Sequence, residues 1–202
     1  MTTDTAHSTT QATHVTPARA PVAHTTPAMP RRSTHVTHKA FGPLWAPDSR
    51  VLVLGSIPSP KSREFGFYYM HPRNRFWPVL AAIFEETIPS TIDERRKLAL
   101  RHHIALYDSL VECDIVGASD ASIRNPVPAD LRPLLAGSRI HAVFCTGATA
   151  ARYYTQWCEP TVRDAGFDVP MTRLPSTSPA NAAWNLERLI EAYRPVRDAA
   201  AG

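Results

Sequence analysis

Four short apolar runs, each followed by Gly, Asp, Thr-Gly or Pro, are the feature that most constrains what this chain can become. The first is Val51-Leu-Val-Leu54, stopped by Gly55. The others cover residues 104–107, 140–145 and 169–174, where Pro170 puts the start of the last near a sheet edge. Unbroken apolar character marks a strand covered on both faces, as in a parallel sheet. Helical spacing fills the gaps, over residues 76–86, 93–103, 129–135, 148–157 and 182–194. The last of these shows Leu186, Leu189, Ile190 and Tyr193 at i, i+3, i+4 and i+7. Alternating strands and helices predict an α/β fold with a mostly parallel sheet between two helical layers. A chain of 202 residues that is 44% apolar supplies core for one such domain.

The first forty residues are of another kind. They hold eleven Thr, five His and four Pro, and not one Leu, Ile, Phe, Trp or Tyr. Such a segment has little to bury against its ordering entropy, so residues 1–40 are expected to be a disordered tail ahead of a domain at 41–202. Its deletion is expected to leave the chemistry of the domain intact. It has neither the apolar h-region of a secretory signal nor the apolar face of an amphipathic transit helix. It also carries Arg19, Arg31, Arg32 and Lys39 against Asp4 alone, so most of the net charge of +4 belongs to it. Any nucleic-acid site on the domain must therefore be a local patch rather than a global field. Three scattered cysteines make neither a disulfide framework nor a zinc pair, which points to a reducing, cytoplasmic setting. The longest strongly apolar stretch, residues 79–84, falls far short of the roughly 20 needed to cross a bilayer, and no membrane partner is expected.

In an open α/β sheet, ligands sit in the crevice beyond the carboxyl ends of the strands. That rule selects Gly55-Ser-Ile-Pro-Ser59 with the loop running to Asn74, then Asp108-Ser109, Thr146-Gly147 and Pro175-Ser-Thr-Ser-Pro-Ala-Asn181. Loops of this composition allow close backbone approach and hydrogen bonding, and they also serve simply as turns. Phe65-Gly-Phe-Tyr-Tyr-Met-His71 packs four aromatic rings into seven residues with no clean period. Such a loop is either a core plug or a platform on which a base stacks.

Taken together, Gly55-Ser-Ile-Pro-Ser59, Ser62-Arg63, Gly66-Phe-Tyr-Tyr69, His71-Pro-Arg-Asn-Arg-Phe-Trp77 and Leu174-Pro-Ser-Thr-Ser-Pro-Ala-Asn181 resemble the uracil-DNA glycosylase superfamily, and within it the hypoxanthine-DNA glycosylases. The resemblance covers residues 51–193, and its two halves lie about a hundred residues apart, each at a predicted strand end. It implies a three-layer α/β/α domain with a central four-stranded parallel sheet. It also implies a monomeric, cofactor-free and metal-free enzyme that flips a deaminated nucleotide from DNA and cuts its N-glycosidic bond with water. Four cysteines would be needed for the iron-sulfur cluster of some branches, and the chain has three.

Several roles follow from the same resemblance. Ile57 stands where the mismatch-uracil branch has a water-holding Asn, so the polar role must lie elsewhere. The hypoxanthine branch implies Asn74, which is the candidate catalytic residue; capping of the helix that follows is the structural alternative. Gly55, Ser56, Ile57, Tyr69, His71 and Ser176 are expected around the base, with Tyr69 as the stacking ring. Ser59, Ser178, Ala180, Asn181 and Gly147 are expected along the DNA backbone. Ala180 replaces the Leu wedge of other branches, so a wedge is either weak or supplied from elsewhere, Asn181 being one candidate. Asp108 is expected at the pocket, more as support than as reactant, and Asn125 near the groove. Hypoxanthine is the expected lesion. A uracil or G:U mismatch glycosylase and a catalytically silent nucleic-acid binder of the same fold are the alternatives.

Overall fold

A computed structural model describes residues 1–2, 32–38 and 41–202. The chain separates into two units at residue 31, and the architecture below is that of Arg31–Gly202. Four strands, β2 (Val51–Gly55), β3 (Ile104–Asp108), β6 (Ala142–Thr146) and β7 (Met171–Leu174), form a parallel sheet in the order β3-β2-β6-β7. Its centre is β2, which pairs Val51 with Ile104 on one side and with Ala142 on the other. Every residue of β2 is buried, as the unbroken apolar run predicts.

Alternation along β2 builds the three layers. Val51 and Val53 face a core closed by α2 (Phe76–Ile83), α3 (Ile92–Arg101) and α7 (Leu186–Ala201). Leu52 and Leu54 face the other core, closed by α4 (Arg132–Ala136), α5 (Ala148–Tyr153) and α6 (Glu159–Asp164). The α/β/α sandwich with its four-stranded parallel sheet is thus as expected. Between α5 and α6 a π-helical stretch, Tyr154–Cys158, continues the axis, so the helix expected over 148–157 runs seven residues further. The final helix starts later and ends later than the sequence suggests. Asn185 caps it through Arg188 N, and it passes through Pro195 because Leu189, Tyr193, Val196 and Ala200 hold the whole length to the core.

Two elements lie outside the sequence reading. A short helix α1 (Pro60–Phe65) is capped by Ser59 Oγ and ended by Gly66 at φ 63°. A second, antiparallel sheet runs β1-β4-β5, with β1 at Thr34–Thr37, β4 at Leu110–Ile115 and β5 at Arg124–Pro128. Here the tail boundary at residue 40 needs correction. Residues 3–31 lie outside the described residues, but Thr34–Thr37 is a strand on β4, with Val36 buried. A segment without large apolar residues can order when a neighbouring strand satisfies its backbone groups and one Val fills a gap. Among the described residues no helix is long and apolar enough to cross a membrane. Cys113, Cys145 and Cys158 are all free and buried.

Candidate active site

A cavity of about 560 Å³ opens at the carboxyl ends of the parallel strands. The early loop supplies Gly55, Ser56, Ile57, Ser59, Tyr69 and Asn74 to its wall, and the late loop supplies Ser176, Ser178, Ala180 and Asn181. Two segments a hundred residues apart therefore meet at one cavity. His71 and Gly147, expected beside them, do not line it. The His71 ring accepts a hydrogen bond from Arg73 N at 3.2 Å and shapes its own turn. Gly147 acts from behind: at φ 99° it caps α5, and a Cβ there would come within 3.2 Å of Ser176 Cβ. Asn125 is likewise away from the cavity, its amide donating to Asp114 across the antiparallel sheet at 2.7 Å.

The aromatic loop divides its labour. Phe67 stacks on Trp77 and belongs to the core, while Tyr68, also buried and donating to Gly42 O at 2.8 Å, backs the cavity wall. Tyr69 reaches the cavity with one ring face already stacked on Phe76, at 3.8 Å between centroids. A base could stack on this ring only from the opposite face. The Thr146 hydroxyl donates to Leu54 O, so the Tyr69 hydroxyl is the donor in its 3.4 Å contact with Thr146 Oγ1. Burial, with the Asp108 charge adding to it, pushes the Tyr69 pKa well up, and the phenol stays protonated.

Asn74 starts the next helix and lines the cavity at once. Its Oδ1 accepts from Phe76 N at 2.9 Å, which starts α2, while the side chain lines the cavity. With that oxygen in use, the amide NH₂ is the part most available to a ligand. The late loop is drawn inward by Arg75. Its guanidinium donates to the carbonyls of Thr177, Ser178, Asn181 and Trp184, and its backbone N–H donates to Thr177 O at 3.1 Å. Within the loop Ser176 Oγ accepts from Ser178 N, and Ser178 Oγ accepts from Ala180 N. The Asn181 amide folds back onto Ser176 O at 2.9 Å, so it braces the loop rather than projecting as a wedge.

Asp120, and His38 behind the site, carry no sequence signal of their own; Asp108, with which His38 pairs, is the one that the strand-end rule selects. Asp120, in the turn after β4, lines the cavity mouth and accepts from Ser56 Oγ at 3.2 Å. The residue is exposed overall, yet its carboxyl loses hydration where it turns toward the cavity. That loss, with Asp108 nearby, raises its pKa against the opposing hydrogen bonds from Thr149 and Ser56. Asp108 lies deeper, at the end of β3, and its Oδ2 pairs with His38 Nε2 at 2.8 Å. Its Oδ1 sits above Gly55, where a Cβ would approach to 2.2 Å, and that near contact explains the glycine. Among the described residues no group of three or more His, Cys, Asp or Glu is placed to hold a metal.

Comparison with known proteins agrees with this architecture. A solution structure from Methanosarcina acetivorans, described as a candidate uracil DNA glycosylase, superposes with a TM-score of 0.67 at 23% identity, covering 85% of this chain and 99% of that one. A curated protein named hypoxanthine DNA glycosylase, also from Methanosarcina acetivorans, is 27% identical over 71% of this chain and 88% of its own length. Another of that name from Methanosarcina barkeri is 29% identical over 71% of this chain and 87% of its own. The profile of the uracil DNA glycosylase superfamily matches residues 43–197, which takes in the parallel sheet and both loops that wall the cavity, and by that match the chain belongs to the superfamily.

Proposed function

We propose that this chain is a monofunctional DNA glycosylase that accepts a flipped, deaminated nucleotide and hydrolyses its N-glycosidic bond, with hypoxanthine as the preferred base. The observation that carries the reading is the meeting of the aromatic loop and the serine loop at one cavity of about 560 Å³, within the range of small-ligand sites. The names of the two Methanosarcina relatives support the choice of base.

Hydrolysis of a deoxyribosyl bond passes through an oxocarbenium-like state. The site must hold a water under the sugar and stabilise the base as it gains negative charge. The Asn74 amide donates to the departing base, and the free face of Tyr69 holds its ring. Ile57 cannot hold water, so that role passes to the Asp120 carboxylate, tied to Ser56 at the mouth. Ser59, Ser178 and the backbone around Ala180 contact the DNA strand.

Duplexes carrying a single deoxyinosine, deoxyuridine or deoxyxanthosine test this directly. Alkali-labile sites forming fastest with deoxyinosine support the full reading. Cleavage with uracil alone moves the assignment to a uracil-specific enzyme, and lesion-dependent binding with no cleavage of any duplex identifies a silent binder instead.

A further inference from the structure

The His38–Asp108 pair lies outside the chemistry just described. Its depth is unusual: the two side chains are 3% and 7% exposed. His38 Nδ1 faces Phe41 O at 2.7 Å and Nε2 faces Asp108 Oδ2 at 2.8 Å. A carbonyl and a carboxylate are both acceptors, so the arrangement is satisfied only when both ring nitrogens carry hydrogen. Burial works against that charge, but the bonds and charge of Asp108 and the bond to Phe41 outweigh it and raise the His38 pKa above the ordinary imidazole value. Asp108 Oδ1 has no hydrogen-bond partner among the described residues and belongs to the cavity wall beside Gly55. His38 itself follows directly on β1, ahead of the residues that the superfamily profile matches.

An anionic carboxylate is an acceptor with no hydrogen to give. Deamination turns the corresponding ring nitrogen of adenine or cytosine from an acceptor into an N–H donor, in hypoxanthine or uracil respectively. A fixed carboxylate attracts the product and repels the lone pair of the parent base. Guanine shares the N–H, so its exclusion falls to other walls of the cavity. Resting on the glycosylase reading above, we infer that His38, brought in by the N-terminal strand, is a positioning residue that holds Asp108 as an acceptor-only reader of the ring N–H that deamination creates.

The test uses the full chain and single-turnover release of hypoxanthine from a deoxyinosine duplex, with His38→Leu, His38→Gln and Asp108→Asn compared with wild type at several pH values. Without the His38 ring the carboxylate loses the donor that fixes its orientation and balances its charge. His38→Leu is therefore expected to be about 10- to 100-fold slower near neutrality, the worth of one charge-assisted hydrogen bond. The gap should close as pH rises and His38 of the wild type gives up its proton. Tyr68, Tyr69 and Tyr107 face the pair with pKa values pushed up by burial and stay neutral; Asp120 is the other nearby carboxylate. His38→Gln, which keeps a donor, should recover part of the rate. Asp108→Asn, a near-isostere that turns an N–H donor toward the base, should show a deficit at least as large as that of His38→Leu. The ¹⁵N shifts of the His38 ring in the free protein should show both nitrogens protonated at pH 7. A neutral ring, or a His38→Leu deficit constant across pH, overturns the inference while leaving excision by wild type standing. A wild type that releases no base removes the glycosylase reading and the inference with it.

Discussion

Replacing Gly55 with Ala puts a methyl group 2.2 Å from Asp108 Oδ1. An ordinary carbon–oxygen contact is more than 1 Å longer than that, so something must withdraw by about 1 Å. Strand β2 cannot yield, since it is hydrogen-bonded on both sides and fully buried. The Asp108 carboxylate must move instead, and it is anchored to His38 at 2.8 Å. Overpacking alone costs about 1–3 kcal/mol, and loss of a charge-assisted buried bond about 1.5–3 kcal/mol. One displacement produces both effects, so their sum is an upper bound, and we expect Gly55→Ala to destabilise the fold by about 3 kcal/mol. With a urea m-value near 2 kcal/mol/M, the midpoint should fall by about 1.5 M. The decisive assay is a double-mutant cycle with Asp108→Ala, followed by urea unfolding of all four proteins. In the absence of the carboxylate, Gly55→Ala should cost under about 1 kcal/mol. An equal cost in both backgrounds would refute the idea that the glycine exists to seat Asp108.

Four other outcomes are expected. Asn74→Ala should slow single-turnover excision by about 100-fold or more, while the lost bond to Phe76 N lowers stability by about 1 kcal/mol; an unchanged rate would exclude Asn74 from the chemistry. Arg75→Lys keeps the charge but not the planar fork, and should cost roughly 1–3 kcal/mol of stability and loosen the serine loop, seen as faster amide exchange at Ser178. Deleting residues 1–31 should leave excision unchanged, whereas deletion to His38 should reduce both stability and excision, because it removes β1 and the partner of Asp108; equal behaviour of the two truncations counts against a role for the strand. The Glu94 carboxylate closes a capping box with Thr91 at the start of α3, and bonds from the Thr91 and Ser90 backbone and side chains hold its pKa down to about 2. A depressed carboxylate stabilises the fold above its unfolded pKa and loses that contribution as pH falls toward 2. Glu94→Gln should therefore flatten the acid limb of the stability curve between roughly pH 4.5 and 2, read by thermal unfolding.

The parallel sheet was legible because its strands lie in a core on both faces, where unbroken apolar runs have no other use. The antiparallel sheet was not, for local reasons. β5 carries Pro126 and Pro128 and is largely exposed, so it lacks both the composition and the burial of a recognisable strand. β1 is held chiefly by its partner, and a segment ordered by a neighbour's backbone leaves little mark on its own side chains. The same logic separates the site residues. Gly55, Asn74 and the serine loop stand at strand ends or in distinctive motifs. Asp120 reaches the cavity, and His38 reaches Asp108 behind it, from the second sheet, so their place depended on an element the sequence conceals. His71 misled because its motif neighbours do line the cavity, while its own ring is turned to Arg73. The brace that the Asn181 amide makes to Ser176 O was equally illegible, because it depends on how the loop folds back on itself.

The Arg75 fork has a consequence for how a nucleotide enters. One guanidinium gathers four carbonyls of the opposing loop, and it grows from the residue next to Asn74. The gap between the two lips is thus gauged by the reach of a single side chain and is insulated from length changes in the hundred residues that separate them. A jaw riveted in this way does not gape to admit its guest. On the glycosylase reading proposed above, the bending then falls to the DNA helix, and selection of a lesion would begin with how readily that base leaves its stack.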